Sequence, residues 1–176
     1  MQHDHFKRSW VLALSLVWLM LLGVKASMAQ EKIPVAGEMV LAVVKYQEMN
    51  VRDTKGHALF LVEYEGNNVS RDKQEFMNKS QVGMLLFGDL ENRNGPIQGY
   101  FEFRKKGDTA FSKWEGKLTT SYSSRGTPVT NFEGTFSYIK GTGRYAGIQG
   151  GGVFKGKMIS WAFRTFEWEG EYWIER

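Results

Sequence analysis

The chain has 176 residues, of which 42% are hydrophobic and none is cysteine, and its formal net charge is +4 at pH 7. Without cysteine, neither disulfides nor thiolate chemistry contribute to its stability or function. Lysine and arginine alternate with glutamate and aspartate and form no basic stripe, so we predict no nucleic-acid partner.

The first 29 residues have the composition of a secretion signal. A basic head precedes an apolar run over residues 10–24, and the small residues Ser27 and Ala29 precede a cleavage site. The run is shorter than the roughly 20 apolar residues that cross a bilayer as a helix. We predict cleavage near Ala29, export to the periplasm or the medium, and a mature domain of residues 30–176 without a membrane anchor. The alternative is an uncleaved N-terminal anchor, which Lys25 favours.

After the signal, apolar and polar residues alternate with period two between glycine-rich turns, which is typical of antiparallel β-sheet. We predict strands at residues 39–50, 57–65, 81–90, 97–105, 109–121, 130–140, 150–157 and 159–174. The short turns predict that consecutive strands pair in order, and closure would remove exposed sheet edges. The predicted fold is therefore all-β, a single eight-stranded antiparallel β-barrel. An open sandwich is the alternative.

Two segments depart from this regular pattern. Residues 66–79 form the longest polar stretch, which predicts either a mobile loop or a short helix across one barrel end. Asn68 and Asn78 in this stretch each begin an N-x-S sequon, which is relevant only in a eukaryotic host. In the last strand the apolar phase changes near Arg164 and Thr165, which predicts a β-bulge there.

The glycine-rich segment over residues 141–152 has the spacing of a nucleotide-binding loop. Such a loop holds phosphate only where it follows a strand and opens a helix, whereas glycine and β sequence follow here. After the signal, His57 is the single histidine, which argues against a histidine-built metal site. We therefore predict no metal, no nucleotide and no other cofactor.

Part of this segment carries a different similarity. Residues 141–150, preceded by Glu-Gly-Thr-Phe at 133–136, resemble the signature of the allene oxide cyclase barrel-like family, which is related in fold to dirigent proteins and lipocalin-like (calycin) barrels. Residues 48–53 are similar to the segment that ends the first strand of the plant cyclases. Asp53, Gly56 and His57 resemble a turn of bacterial relatives of unassigned function. The resemblance implies an eight-stranded barrel with an apolar interior and a homotrimer.

The resemblance also implies catalytic roles for three residues. Glu48 matches the plant carboxylate that steers charge during cyclisation, Asn50 matches the amide that helps fix a bound water, and His57 falls on the active-site proline. From the residues alone, Glu48 and Asn50 share one face of a strand, and they either point into the barrel or form an exposed strand end. The alternative for His57, which follows a turn glycine, is a surface or hydrogen-bonded strand residue.

We predict that the barrel binds a small apolar or aromatic molecule, because eight strands enclose space for one small ligand. The predicted ligand-binding residues are six aromatic side chains: Phe60, Tyr64, Phe101, Phe103, Phe132 and Phe136. Two alternatives remain. One is a cyclase or isomerase in which Glu48 stabilises charge or transfers a proton, and the other is an interaction or structural barrel with a filled interior.

Overall fold

The computed structural model describes residues 30–175, so the predicted secretion signal lies outside the described residues. The strands are β1 (Ile33–Asn50), β2 (His57–Ser70), β3 (Gln81–Glu91), β4 (Gly95–Lys105), β5 (Asp108–Tyr122), β6 (Pro128–Thr142), β7 (Ile148–Met158) and β8 (Phe163–Ile174). Each strand pairs antiparallel with the next, and β8 pairs with β1. The predicted closed, eight-stranded antiparallel barrel is confirmed. None of the described residues forms a helix long and apolar enough to span a bilayer.

The period-two pattern separates the interior of the barrel from its surface. On β2, Ala58, Val62 and Tyr64 are buried, while Glu65 between the inward positions is exposed. On β6, Phe132, Phe136 and Tyr138 are buried in the same way. Inward residues of opposite strands meet across the barrel, so burial of their apolar surface is the main stabilising contribution.

Several strands extend beyond the segments predicted from the sequence. β1 begins at Ile33 rather than at residue 39, and β2 continues to Ser70 rather than ending at 65. The prediction of a loop or helix over 66–79 is therefore wrong for its first five residues. Asn67 pairs with Val40 of β1 and with Gln81 of β3, because the ladder uses backbone groups whatever the polarity of the side chain.

The predicted bulge in β8 is wrong. Residues 163–172 of β8 pair one-to-one with β1, and Trp161 lies in the turn before the strand. The apparent change of phase arose because Trp161 belongs to the turn and Phe163, the first residue of β8, is exposed on the outer face. A shift of register occurs in β1 instead, between Val43 and Lys45, and a second one lies beside Ser112 where β5 pairs with β6.

Residues 71–80, which we call the plug, cross the end of the barrel where β2 leads into β3. The plug contains turns and no helix, and it inserts Phe76 and Met77, each 1% exposed, into the interior. The Phe76 ring packs with centroid distances of 5.0–6.2 Å against the rings of Phe103, Tyr138, Tyr145, Trp168 and Tyr172. The void left among the neighbouring aromatic side chains is about 10 Å³, at the lower limit for one water molecule. This half of the barrel is filled.

Asn68 fixes the plug to the barrel wall. Its fully buried side chain donates from Nδ2 to the carbonyl oxygens of Phe76 (3.3 Å) and Met77 (3.0 Å). Its Oδ1 accepts a 3.0 Å hydrogen bond from the Trp168 indole. All three contacts are internal, so the first sequon is inaccessible in the folded barrel. In the second, Asn78 Oδ1 accepts from the Ser70 amide.

Candidate functional site

The half of the barrel away from the plug contains an open cavity of about 570 Å³. It opens at the mouth, where the turns β1–β2, β3–β4, β5–β6 and β7–β8 lie. Its apolar lining includes Ala58, Phe60, Val62, Leu86, Leu90, Leu118, Phe132 and Met158. Its polar lining includes Tyr46, Glu48, Asn50, Tyr64, Thr120, Thr130 and Arg164. The volume lies within the range of about 300–1,000 Å³ that is usual for small-molecule sites.

The bulge in β1 determines which of its side chains reach this cavity. Before the bulge, odd-numbered residues such as Met39 and Leu41 are buried in the interior. The extra residue, Val44, shifts the alternation by one, so even-numbered residues line the cavity after it. Glu48 and Asn50 therefore face the cavity mouth together, and both remain solvent-exposed. The inward-facing and the exposed-strand-end interpretations of these two residues are therefore each partly met. Both side chains are solvent-exposed, and both also line the cavity.

Tyr46 and Glu48 form a hydrogen-bonded pair at the mouth. The Tyr46 hydroxyl donates to Glu48 Oε2 at 2.5 Å. Partial burial, and then this bond to a carboxylate, raise the pKa of the Tyr46 hydroxyl above its ordinary value of 10.0. The hydroxyl is therefore protonated at neutral pH and serves as a hydrogen-bond donor at the edge of the cavity.

The six predicted aromatic residues divide between the two halves of the barrel. Phe60, Tyr64 and Phe132 line the cavity. Phe101, Phe103 and Phe136 border the filled half instead, where a 10 Å³ void leaves no room for a ligand. Alternation predicts the face on which a side chain lies, but it carries no information about depth along the barrel axis.

Arg164 on β8 is 6% exposed and lines the cavity. Its Nη1 donates to the carbonyl oxygens of Ser160 (2.6 Å), Trp161 (3.0 Å) and Phe163 (3.1 Å), which belong to the β7–β8 turn and the start of β8. Its Cζ lies 5.7 Å from the centroid of the Tyr64 ring, a cation–π distance. Burial lowers the pKa of the guanidinium below its ordinary value of 12.5, and Tyr64 opposes that effect.

His57 lies outside the cavity lining, at the start of β2. Its Nδ1 is 2.6 Å from Asp53 Oδ1 and its Nε2 is 2.6 Å from Asp89 Oδ1. These two carboxylates, Asp89 first, raise the pKa of His57 above its ordinary value of 6.5. Bonds from His57 lower the pKa of Asp53 below 3.8. The imidazolium has a donor on each ring nitrogen, so it connects the β1–β2 turn to β3.

We expect the thermal stability that His57 contributes to depend on pH. A raised folded pKa means that this contribution is complete below about pH 6.5 and is lost as pH rises through the folded pKa. The lowered pKa of Asp53 means that its contribution is lost as pH falls below about 4. The melting-temperature difference between wild type and His57→Gln should be largest between these values. In the Asp53→Asn/Asp89→Asn background the difference should not vary with pH. An equal difference at pH 6 and pH 9 in the wild-type background would contradict the ion-pair account.

No protein-family model matches the chain. No curated protein matches it in sequence either. In the described part of the chain, no three His, Asp or Glu side chains cluster so as to hold a metal ion. The cavity itself is therefore the observation on which a function has to rest.

Sequence reasoning missed several polar residues of the cavity, and two of them, Arg164 and Tyr46, were marked by parity. Arg164 is even-numbered like Phe166 and Trp168, which are buried in the interior. The wrongly predicted bulge near Arg164 obscured that relation. Tyr46 has the parity of Glu48. The lining from other strands, such as Leu86 and Leu118, had no signal beyond its apolar alternation.

Proposed function

We propose that this protein is an exported barrel that binds one small apolar or aromatic molecule in the open half of its interior. The observation that carries the proposal is the cavity of about 570 Å³ with Phe60 and Phe132 in its wall. One half of the barrel is filled and the other is open, whereas a purely structural barrel would gain stability by filling both. The Tyr46–Glu48 pair at the mouth supplies polar groups that orient a ligand.

The assignment to the allene oxide cyclase barrel-like group, and the trimer it implies, belong to the same proposal. They are supported by the similarity of residues 141–150 together with an eight-stranded barrel topology. Export is supported by the composition of the first 29 residues. A periplasmic or secreted barrel would meet its ligand outside the cytoplasm.

Titration with a neutral aromatic fluorophore, N-phenyl-1-naphthylamine, tests the binding proposal. We expect saturable binding with one site per chain in the wild type. Leu86→Trp should weaken it by about tenfold or more, because Leu86 lines the cavity and the larger ring would occupy it. Leu85→Trp is the matched control, since Leu85 immediately precedes Leu86 on β3 and is exposed on the outer surface.

Two results would count against this site. If the wild type does not bind the fluorophore, the cavity does not act as an apolar binding site. If Leu86→Trp and Leu85→Trp bind it equally well, the fluorophore lies elsewhere on the barrel. Native mass spectrometry of the exported protein complements the titration, because a co-purified molecule that is absent from Leu86→Trp would identify the natural ligand.

The second candidate is a cyclase or isomerase, and the Tyr46–Glu48 hydrogen bond favours it. A hydroxyl and a carboxylate 2.5 Å apart beside an apolar cavity can exchange a proton with a bound molecule. Chromatography of the ligand recovered after incubation separates the two candidates. An isomer formed by wild type and lost in Glu48→Gln would support the enzyme, whereas unchanged ligand supports the binding barrel.

A further inference from the structure

Arg164 is a buried cation with no carboxylate to balance it. None of the salt bridges among residues 30–175 includes it, although the residue is only 6% exposed. Taking a guanidinium out of water costs free energy that an opposite charge usually offsets. The remaining contacts of Arg164 are to neutral groups: three carbonyl oxygens and the ring and hydroxyl of Tyr64.

The hydrogen-bonding capacity of this guanidinium is also incomplete. All three bonds to the carbonyl oxygens of the β7–β8 turn and the start of β8 come from Nη1. Nε is buried and has no partner among the described residues. A guanidinium has five N–H donors, and an unsatisfied buried donor is unfavourable. The carbonyl oxygens therefore occupy Nη1, whereas Nε is left without a partner among the described residues.

The position of Arg164 indicates which molecule could accept a hydrogen bond from this unpaired donor. The residue lines the same cavity as Phe60 and Phe132, at a depth where its side chain is almost fully enclosed. Glu48, the acidic residue in the cavity lining, is exposed at the mouth and hydrogen-bonded to Tyr46. A molecule that fills the cavity would therefore meet a buried positive charge that no protein carboxylate neutralises.

We propose that the ligand of this cavity is an organic anion, with an aromatic or apolar body against Phe60 and Phe132 and a carboxylate that pairs with Arg164. This inference rests on the proposed binding function and adds the chemical class of the ligand. The anion would offset the desolvated charge and accept hydrogen bonds from the guanidinium, which matches a carboxylate in plane and spacing. The Nη1 bonds keep the guanidinium in place before the ligand arrives.

Two fluorophores that share one apolar body test this proposal. One is 8-anilino-1-naphthalenesulfonate, whose sulfonate stands in for the carboxylate, and the other is N-phenyl-1-naphthylamine, which lacks the charge. We expect Arg164→Gln to weaken binding of the anionic fluorophore by roughly 10–100-fold, the usual effect of losing a charge-assisted hydrogen bond. Binding of the neutral fluorophore should change by less than about twofold. Arg125→Gln, which removes an exposed positive charge from the β5–β6 turn, is the control for long-range attraction.

The outcomes separate this inference from the proposed function. If the wild type binds the neutral fluorophore, and Arg164→Gln binds the anionic one as tightly as wild type does, the cavity binds ligands but Arg164 does not select anions. Equal losses for both fluorophores in a folded Arg164→Gln would overturn the inference in the same way. If neither fluorophore binds the wild type, the proposed function itself fails.

A second variant and a direct measurement cover the case in which Arg164→Gln does not fold. Arg164→Lys keeps the charge but loses the planar fork, so it should weaken the anionic fluorophore selectively and by a smaller factor. NMR of the arginine Nε–H groups in the wild type should show one buried resonance that shifts with the anionic fluorophore and not with the neutral one. No shift of that resonance at saturation would overturn the proposal.

Discussion

Phe76→Ala is expected to lower the free energy of unfolding by about 3–5 kcal/mol, the usual cost of truncating a fully buried phenylalanine. Phe76 is 1% exposed and contacts five other aromatic rings in the filled half of the barrel. Little rearrangement is available to close the cavity, because the plug is fixed by Asn68 and the surrounding rings are packed around a void of only about 10 Å³. Urea unfolding followed by tryptophan fluorescence measures the loss.

Phe87→Ala is the control for Phe76→Ala. Phe87 is 42% exposed on the outer face of β3, and its truncation should change stability by about 0.5 kcal/mol. A loss below about 1 kcal/mol for Phe76→Ala would mean that the plug adds little to the core. Folded Phe76→Ala should still bind the neutral fluorophore as wild type does, because Phe76 does not line the cavity.

Asn68→Asp should destabilise the barrel by about 3–5 kcal/mol at pH 7, the range for leaving a buried charge uncompensated. The Asn68 amide donates to two carbonyl oxygens, and a carboxylate in its place has no donor and repels both. The Trp168 indole would still donate to the new carboxylate, which offsets part of the loss. Unfolding free energies measured from pH 4 to pH 8 test the prediction.

The pH dependence gives Asn68→Asp a second readout. Burial next to carbonyl oxygens raises the folded pKa of an aspartate above its unfolded value of about 3.9. The variant therefore loses stability as pH rises from the unfolded pKa through the folded pKa. The deficit relative to wild type should therefore be smallest near pH 4. Asn67→Asp is the matched control, because Asn67 precedes Asn68 on β2 and is exposed. An equal deficit for the two variants would contradict the role of Asn68 as an anchor.

The barrel was predictable from the sequence because its evidence is local. Alternation over Ala58 to Tyr64 reports which face is buried, and the turns are short enough to make consecutive strands pair. The number of strands and their order then follow. Strand ends were less predictable, since Asn67 and its neighbours are polar yet remain in the ladder through their backbone groups.

The candidate site was only partly predictable, because it depends on depth and on one irregularity. Phe60 and Phe101 have the same inward alternation, yet the first lines the cavity and the second packs in the filled half. That difference depends on where the plug inserts, and the alternation of apolar and polar residues gives no information about that position. Glu48 and Asn50 reach the mouth only because of the β1 bulge, whose position no residue type marks.

β8, whose pairing with β1 closes the barrel, pairs with only part of that strand. Pairing with β8 runs from Ile33 to Ala42, whereas residues 45–50 pair with β2 alone among the described strands. Alternate backbone amides and carbonyls in that stretch therefore have no ladder partner, and the end of β1 is a sheet edge that is held only by β2, which itself pairs with β3. A segment paired on one side opens locally at a lower free-energy cost than one paired on both. Because this edge carries Glu48 and Asn50, the entrance can widen by movement of the end of β1 while the aromatic half, which carries most of the packing, keeps its shape.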